Sequence, residues 1–268
     1  MNFYDQHCHT HLSFDSEESI DNYLALGLEK LTFTEHLDLD NPVNGGHDDI
    51  PDFEQAVIWQ QEMKEKNDVD LLLGVEVGYV PGQEDRLNEI LSSYDFDIKL
   101  LSCHHNRIYD YMDTKETNAK VESSEQMMDQ YVDQLLEAVT HMTDVQIMTH
   151  FDYGFRVHDA SLETIQERYT EKITEIFQQI IKHEIAFELN SKSIVKYKNL
   201  DLYKWAIPLY LSLGGKLFTL GSDAHLASDY MLAFNDLRKL LQQYGVDEVA
   251  LYEKEQAKMV KLSELSFV

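Results

Sequence analysis

The chain repeats one pattern along its length: a short apolar run, then a histidine, aspartate or glutamate, then a stretch with one apolar stripe. The runs are Asn2–Asp5, Leu31–Thr34, Asp70–Val77, Asp97–Ser102, Val145–Thr149, Ile185–Leu189 and Lys216–Leu220. They are rich in Val, Ile, Leu, Phe and Thr, which suits buried strands. Between them, Glu17–Lys30, Ser123–Met142, Leu162–His183 and Tyr230–Tyr244 space apolar residues every three or four positions. That spacing predicts helices with one face in the core, and their methionines and aromatics read as packing. Strand–helix alternation implies parallel strands joined by right-handed crossovers. Seven or eight such units close a barrel; an open doubly wound sheet is the other outcome. No glycine-rich phosphate loop follows the first run, which weakens the nucleotide-binding form of the open sheet.

The residues that end the runs carry the chemistry. The first continues into Asp5-Gln-His7-Cys-His9, where a period of two puts Asp5, His7 and His9 on one face and Cys8 on the other. The second ends Thr34-Glu35-His36. In the third, Glu76 shares its face with Gly74 and Gly78, leaving room beside the carboxylate. The fourth ends Cys103-His104-His105, the fifth His150-Phe-Asp152, the sixth Glu188-Leu-Asn190 and the seventh Asp223-Ala-His225. In a parallel barrel these ends share one rim, where such folds place their active sites. One strand-end histidine is a weak signal, but chance must succeed repeatedly to produce this set. Buried carboxylates gathered with no Lys or Arg among them require other cations, and imidazole with carboxylate suits Zn, Fe or Mn ions. Asp5 is expected to orient a ligand imidazole from behind. Cys8 and Cys103 read as packed thiols, and His11, His47, His141 and His158 as surface or loop residues.

Composition narrows the partners. Lys and Arg number 22 against 49 Asp and Glu, a formal charge of −27. Such a surface repels nucleic acid and anionic membrane. Two cysteines cannot build a disulfide framework, and neither an apolar run of about 18 residues nor a secretory signal is visible. The expectation is one domain over residues 1–268, in the cytoplasm, with oligomeric state open.

His7-Cys-His9-Thr, Asp15, Thr34-Glu-His36, Glu76, His104, His150 and Asp223-Ala-His225 together resemble the PHP (polymerase and histidinol phosphatase) superfamily. Glu76-Val-Gly-Tyr-Val-Pro-Gly, Ser102-Cys-His-His and His150-Phe-Asp-Tyr-Gly-Phe-Arg156 look most like its histidinol-phosphate phosphatase branch. The resemblance implies a distorted (β/α)7 barrel with three divalent transition-metal ions on its rim. His7, His9, Glu76 and Asp223 would hold the first. Glu76 would bridge to a second, completed by His104 and His150. Asp15, His36 and His225 would hold the third, although many members have histidine where Asp15 stands.

The implied reaction is hydrolysis of a small phosphorylated metabolite, L-histidinol phosphate, by a hydroxide bridging two metals. Glu76, Asp223 and His225 would be catalytic through the metals they hold. Arg156, Asn190 and His105 are the candidate substrate contacts; for Arg156 a surface salt bridge is the competing reading, and for Asn190 a turn. Another phosphoester, such as a nucleoside bisphosphate or phosphotyrosine, is the alternative substrate. A metal-dependent amidohydrolase fits less well, because Lys99 lies within its run on the wrong parity for a bridging lysine. A non-catalytic metal-binding protein is the third class.

Overall fold

The structure, a computed structural model, describes residues 3–66, 69–113, 123–158, 160–265 and 267. In chain order the elements are α1 (Ile20–Leu24), β1 (Lys30–Asn41), β2 (His47–Asp49), α2 (Phe53–Lys66), β3 (Asp70–Gly78) and α3 (Glu84–Leu91). Then come β4 (Ile98–Ser102), α4 (Ser124–His141), β5 (Ile147–Met148), α5 (Leu162–Lys182), β6 (Ala186–Asn190) and α6 (Ser191–Val195). The chain ends with α7 (Leu200–Ser212), β7 (Phe218–Gly221), α8 (Phe234–Gln243), β8 (Glu248–Glu253) and β9 (Gln256–Lys261).

One sheet runs β2-β1-β3-β4-β5-β6-β7, parallel throughout except for the antiparallel β2 edge. The gap between β1 and β7 is spanned by the extended segment His7–His9. Thr34 N–H donates to the Cys8 carbonyl, His9 N–H to that of Ala224 and Asp223 N–H to that of His7, each at 2.8 Å. Six strands and this segment therefore make a distorted α/β barrel of seven staves.

The first expected strand is corrected by this arrangement. Asn2 lies outside the described residues, and Phe3–Asp5 form no ladder; pairing begins beyond them, at the Cys8–Ala224 bridge. The reason is side-chain substitution for backbone. Gln6 offers its amide to Ala250 (2.9 Å) and accepts from Tyr252 N–H (2.7 Å), doing the work of a strand partner. The Asp5 carboxylate accepts backbone N–H groups of His7, Ser222 and Met231. It thus anchors the segment's backbone and touches no imidazole, contrary to the sequence expectation.

Period-two alternation sorts the strands. Inward, Ile98, Leu100, Ile147 and Ala186 pack on Ala250 and Tyr252 of β8, so a small apolar plug closes the N-terminal mouth. Outward, Phe33, Val75, Leu101, Met148, Phe187 and Leu220 meet the helices in the main core. There α4 contributes Met127, Tyr131, Leu135 and Val139, and α5 contributes Ile165, Ile173, Phe177 and Ile180. Ser123 and Ser161 cap these helices by accepting from N–H groups three residues on. Cys8 and Cys103 are buried among apolar side chains, and burial pushes both thiols well above their ordinary pKa. Among the described residues no helix is long and apolar enough to cross a membrane. With the floor filled by hydrocarbon, polar side chains gather at the opposite, C-terminal mouth.

Candidate metal centre

Glu76 sits at the centre, fully buried on the inward face of β3. Its Oε1 lies 2.7 Å from His150 Nε2 and 3.1 Å from His104 Nε2. Its Oε2 lies 3.0 Å from His7 Nε2, 3.2 Å from His36 Nδ1 and 3.4 Å from His9 Nε2. Five imidazoles from four staves, the His7–His9 segment, β1, β4 and β5, thus converge on one carboxylate of β3. Beyond them, His225 Nε2 contacts Asp15 at 3.0 Å and His36 Nε2 lies 3.6 Å from the same carboxylate. Asp223 Oδ1 lies 3.5 Å from His225 Nδ1 and 3.9 Å from His9 Nε2.

All nine residues expected to be ligands are therefore brought to one rim. Four triads have donor atoms within 4.8 Å of one another: His9, His36 and His225; His7, His9 and Glu76; His7, His150 and Asp223; His36, Glu76 and His104. His36 thus neighbours both the Glu76 group and the Asp15–His225 group.

Three of the five imidazoles have one nitrogen committed behind them. His7 Nδ1 donates to Glu188 Oε1 at 2.7 Å, and His104 Nδ1 to both oxygens of Asp38 at 3.1 Å. Ser13 gives its own proton to Glu35 (2.6 Å), so its Oγ is left to accept from His9 Nδ1 at 3.2 Å. These bonds turn the lone pair of the other nitrogen toward the centre. There, His9 Nε2 and His36 Nδ1 are buried without a hydrogen-bond partner. Buried ring nitrogens are not normally left so, and neutral imidazole nitrogens facing carboxylates are what a divalent transition-metal ion takes. The donor set fits a metal.

Charge tells the same story. Burial alone would raise Glu76, yet His7, His36, His104 and His150 hold its carboxyl well below the ordinary range. Burial, aided by the neighbouring His36 and His225, pushes His9 well down and keeps it neutral. For His7 burial works against the cation, but Glu188 and Glu76 overcome it and raise the imidazole well above its usual value.

Gly78 has a different use from the one expected, and Gly221 shares it. A Cβ on Gly78 would meet Asp38 Oδ1 at 1.8 Å, and one on Gly221 would meet Glu188 Oε1 at 2.0 Å. The space they leave is filled by the carboxylates that hold His104 and His7. The second apolar run ends at Thr34 in the sequence, whereas β1 continues to Asn41 and carries Asp38, which the sequence reading does not reach. The inward series Thr34, His36, Asp38 was the available signal.

The substrate candidates separate. Arg156 is no surface residue: its guanidinium is buried between the rings of Tyr153 (5.1 Å) and Tyr197 (4.9 Å). Its Nη2 donates to Ser193 (2.7 Å) and Asn190 (3.2 Å) and lies 3.4 Å from Asp223 Oδ2. Asn190 caps α6 through Ser193 N–H and donates to Glu188 at 3.0 Å. His105 is 1% exposed; its Nδ1 accepts from Arg107 N–H and its Nε2 lies 3.6 Å from Asp38. Lys192 escaped notice. Its Nζ lies 2.9 Å from Asp223 Oδ1 and 3.2 Å from His225 Nδ1. With Arg156 it corrects the expectation that no Lys or Arg joins the cluster. Nothing in the sequence flags Lys192 except its place after a strand end. Lys99, by contrast, is turned away from the cluster and pairs with Asp144 and Glu255.

A parallel α/β barrel with an imidazole–carboxylate cluster suited to metal on its C-terminal rim defines the class. The family model described as the PHP domain matches residues 5–192, and the chain belongs to that family. It is 28% identical over 256 residues to the histidinol-phosphatase of Lactococcus lactis subsp. lactis (strain IL1403), covering 92% of this chain and 93% of that one. It is 27% identical over 258 residues to the probable histidinol-phosphatase of Clostridium acetobutylicum, covering 94% and 97%. The crystal structure of the Lactococcus lactis histidinol phosphate phosphatase, complexed with Zn, L-histidinol and phosphate, superposes with a TM-score of 0.80. That match has 26% identity and covers 95% of this chain and 98% of the other.

Proposed function

We propose that this protein is a metal-dependent phosphomonoesterase that hydrolyses L-histidinol phosphate to L-histidinol and phosphate. The observation that carries the reading is the convergence of five imidazoles on Glu76, with Arg156 and Lys192 beside the same cluster. The likeness in sequence and fold to histidinol-phosphatases over nearly the whole chain supports the substrate.

In this reading three divalent ions, Zn, Fe or Mn, are held by His7, His9, Glu76 and Asp223, by Glu76, His104 and His150, and by Asp15, His36 and His225. Bound there, such ions supply a water ionised near neutral pH and counter-charge for phosphoryl oxygens. The chain's own residues do the rest. Glu76 and Asp223 bring charge and His225 brings a donor nitrogen to the reacting rim. Arg156, stacked between two tyrosines and tied by Ser193, is held rigid to receive a phosphoryl oxygen. Lys192 adds a second cation on the same side. Asn190 fixes Arg156 and Glu188 rather than reaching substrate, and His105 backs Asp38. Residues 1–268 act as one catalytic domain on a small metabolite in the cytoplasm. A net charge of −27 fits neither nucleic acid nor anionic membrane as partner.

The test is phosphate release from L-histidinol phosphate, run beside a nucleoside bisphosphate and a phosphotyrosine peptide. Activity on the first should exceed the others and vanish on metal stripping or in Glu76→Ala. Full turnover without metal would overturn the mechanism, and preference for another ester would overturn the substrate.

A further inference from the structure

Among the described residues three carboxylates near the rim form no ion pair, and two of them are saturated by neutral donors: Asp152 by Ser193, Asn199 and Tyr203, and Glu35 by Thr10 and Ser13. Asp15, Asp38, Asp40, Glu76, Glu188 and Asp223 each face an imidazole, a guanidinium or an ammonium within 4.0 Å. Asp110, half-buried after β4, forms no ion pair among the described residues. Its Oδ1 accepts from Met112 N–H (2.6 Å) and from the Tyr153 hydroxyl (3.0 Å); its Oδ2 shares only that hydroxyl, at 3.2 Å. Burial holds its carboxyl up to about 6, which a cation beside it would reverse.

Its place beside the cluster is what matters. Tyr153 is the wall between Asp110 and the cluster. The ring lies 5.0 Å from that of His104 and 5.2 Å from that of His150, with the Arg156 guanidinium 5.1 Å away. A phosphoryl group held by Arg156 and the rim would thus have Asp110 about one tyrosine length away. In L-histidinol phosphate the ammonium is borne by the carbon next to the ester CH2, which makes it the substrate's own charged group nearest phosphorus on the leaving-alcohol side.

We propose that Asp110, positioned by the Tyr153 hydroxyl, receives the substrate's ammonium group and so selects phosphomonoesters of amino alcohols over uncharged ones. This rests on the phosphatase reading and assigns the recognition of the leaving alcohol within it.

The experiment measures kcat/KM for L-histidinol phosphate and for its analogue lacking only the amine, in the wild-type enzyme and in Asp110→Asn. The wild type should favour the amine, and the preference should fall roughly tenfold to a hundredfold in the variant, the range for a charged hydrogen bond. A ratio unchanged by the substitution overturns the proposal while leaving the phosphatase reading intact. If the variant does not fold, inhibition of the wild type by L-histidinol and by its deaminated analogue decides: equal inhibition overturns the proposal. Should the wild type hydrolyse p-nitrophenyl phosphate but neither histidinol ester, the substrate reading is what fails. The same ratio is then taken between O-phosphoethanolamine and ethyl phosphate, and an Asp110-independent ratio there overturns the proposal as well.

Discussion

Replacing Glu188 by Gln tests whether the residues behind the imidazoles set the metal site. Glu188 Oε1 takes the His7 Nδ1 proton at 2.7 Å. Its Oε2 takes three donors: the Thr149 hydroxyl, His150 N–H at 3.0 Å and Asn190 Nδ2 at 3.0 Å. Glutamine keeps the shape but has one acceptor and one donor end. Its carbonyl oxygen will turn to the three donors, since the alternative strands all of them. The NH2 then faces His7 Nδ1, two donors meet, and the imidazole proton moves to Nε2. That is the nitrogen 3.0 Å from Glu76. The lost charge-assisted bond is worth about 1.5–3 kcal/mol. Affinity for the first cation should therefore fall roughly tenfold to a hundredfold, the range typical of partners behind a ligand. Competition of Zn²⁺ between the protein and a chromogenic chelator reads this directly, with circular dichroism as the check on folding. A folded Glu188→Gln protein binding zinc within about twofold of wild type would refute the tautomer argument.

Two further outcomes follow from packing. Gly78→Ala forces a methyl into the Asp38 carboxylate, which is pinned by His104, so it should lower stability by about 1–3 kcal/mol in urea unfolding with chelator present. An unchanged midpoint would mean that Asp38 moves freely. Cys8 and Cys103, buried and held as thiols, should stay unmodified by a thiol reagent in the native protein and react only with unfolding. Rapid labelling under native conditions would contradict their burial.

How much of this was legible in the sequence follows from what fixes each side chain. Residues on regular strands obey a period of two, and the alternation that puts Glu76 on one face with Gly74 and Gly78 holds in β3 and extends to Thr34 and His36, their partners on β1. The same rule extends to Asp38, whose glycine neighbour Gly78 reads in the sequence as room beside Glu76. Length was the failure: a strand was ended where its apolar residues ended, although an inward face lining a metal site is polar by necessity. Beyond strand ends the rule lapses. Tyr153, Arg156 and Lys192 are aimed by a 3-10 turn and a five-residue helix, whose geometry depends on tertiary bonds to Asp110, Ser193 and Asp223.

Buried Arg156 and half-buried Lys192 change the electrostatic argument without removing it. Arg156 and Lys192 both lie on Asp223, and neither reaches Glu76, whose counter-charge in the chain consists of imidazoles alone. Asp223 can therefore be satisfied by the protein. Glu76 requires either protonated histidines or metal. Of its five imidazoles, His9, His36 and His150 are pushed down toward the neutral form, chiefly by burial. The other two, His7 and His104, are raised toward the cation, but each is shared with a second buried carboxylate, Glu188 or Asp38, so two imidazolium charges among three carboxylates leave one unbalanced. The demand for an external cation is thus localised at Glu76, and it is strongest on the side of His9 and His36, whose facing nitrogens have no partner of their own.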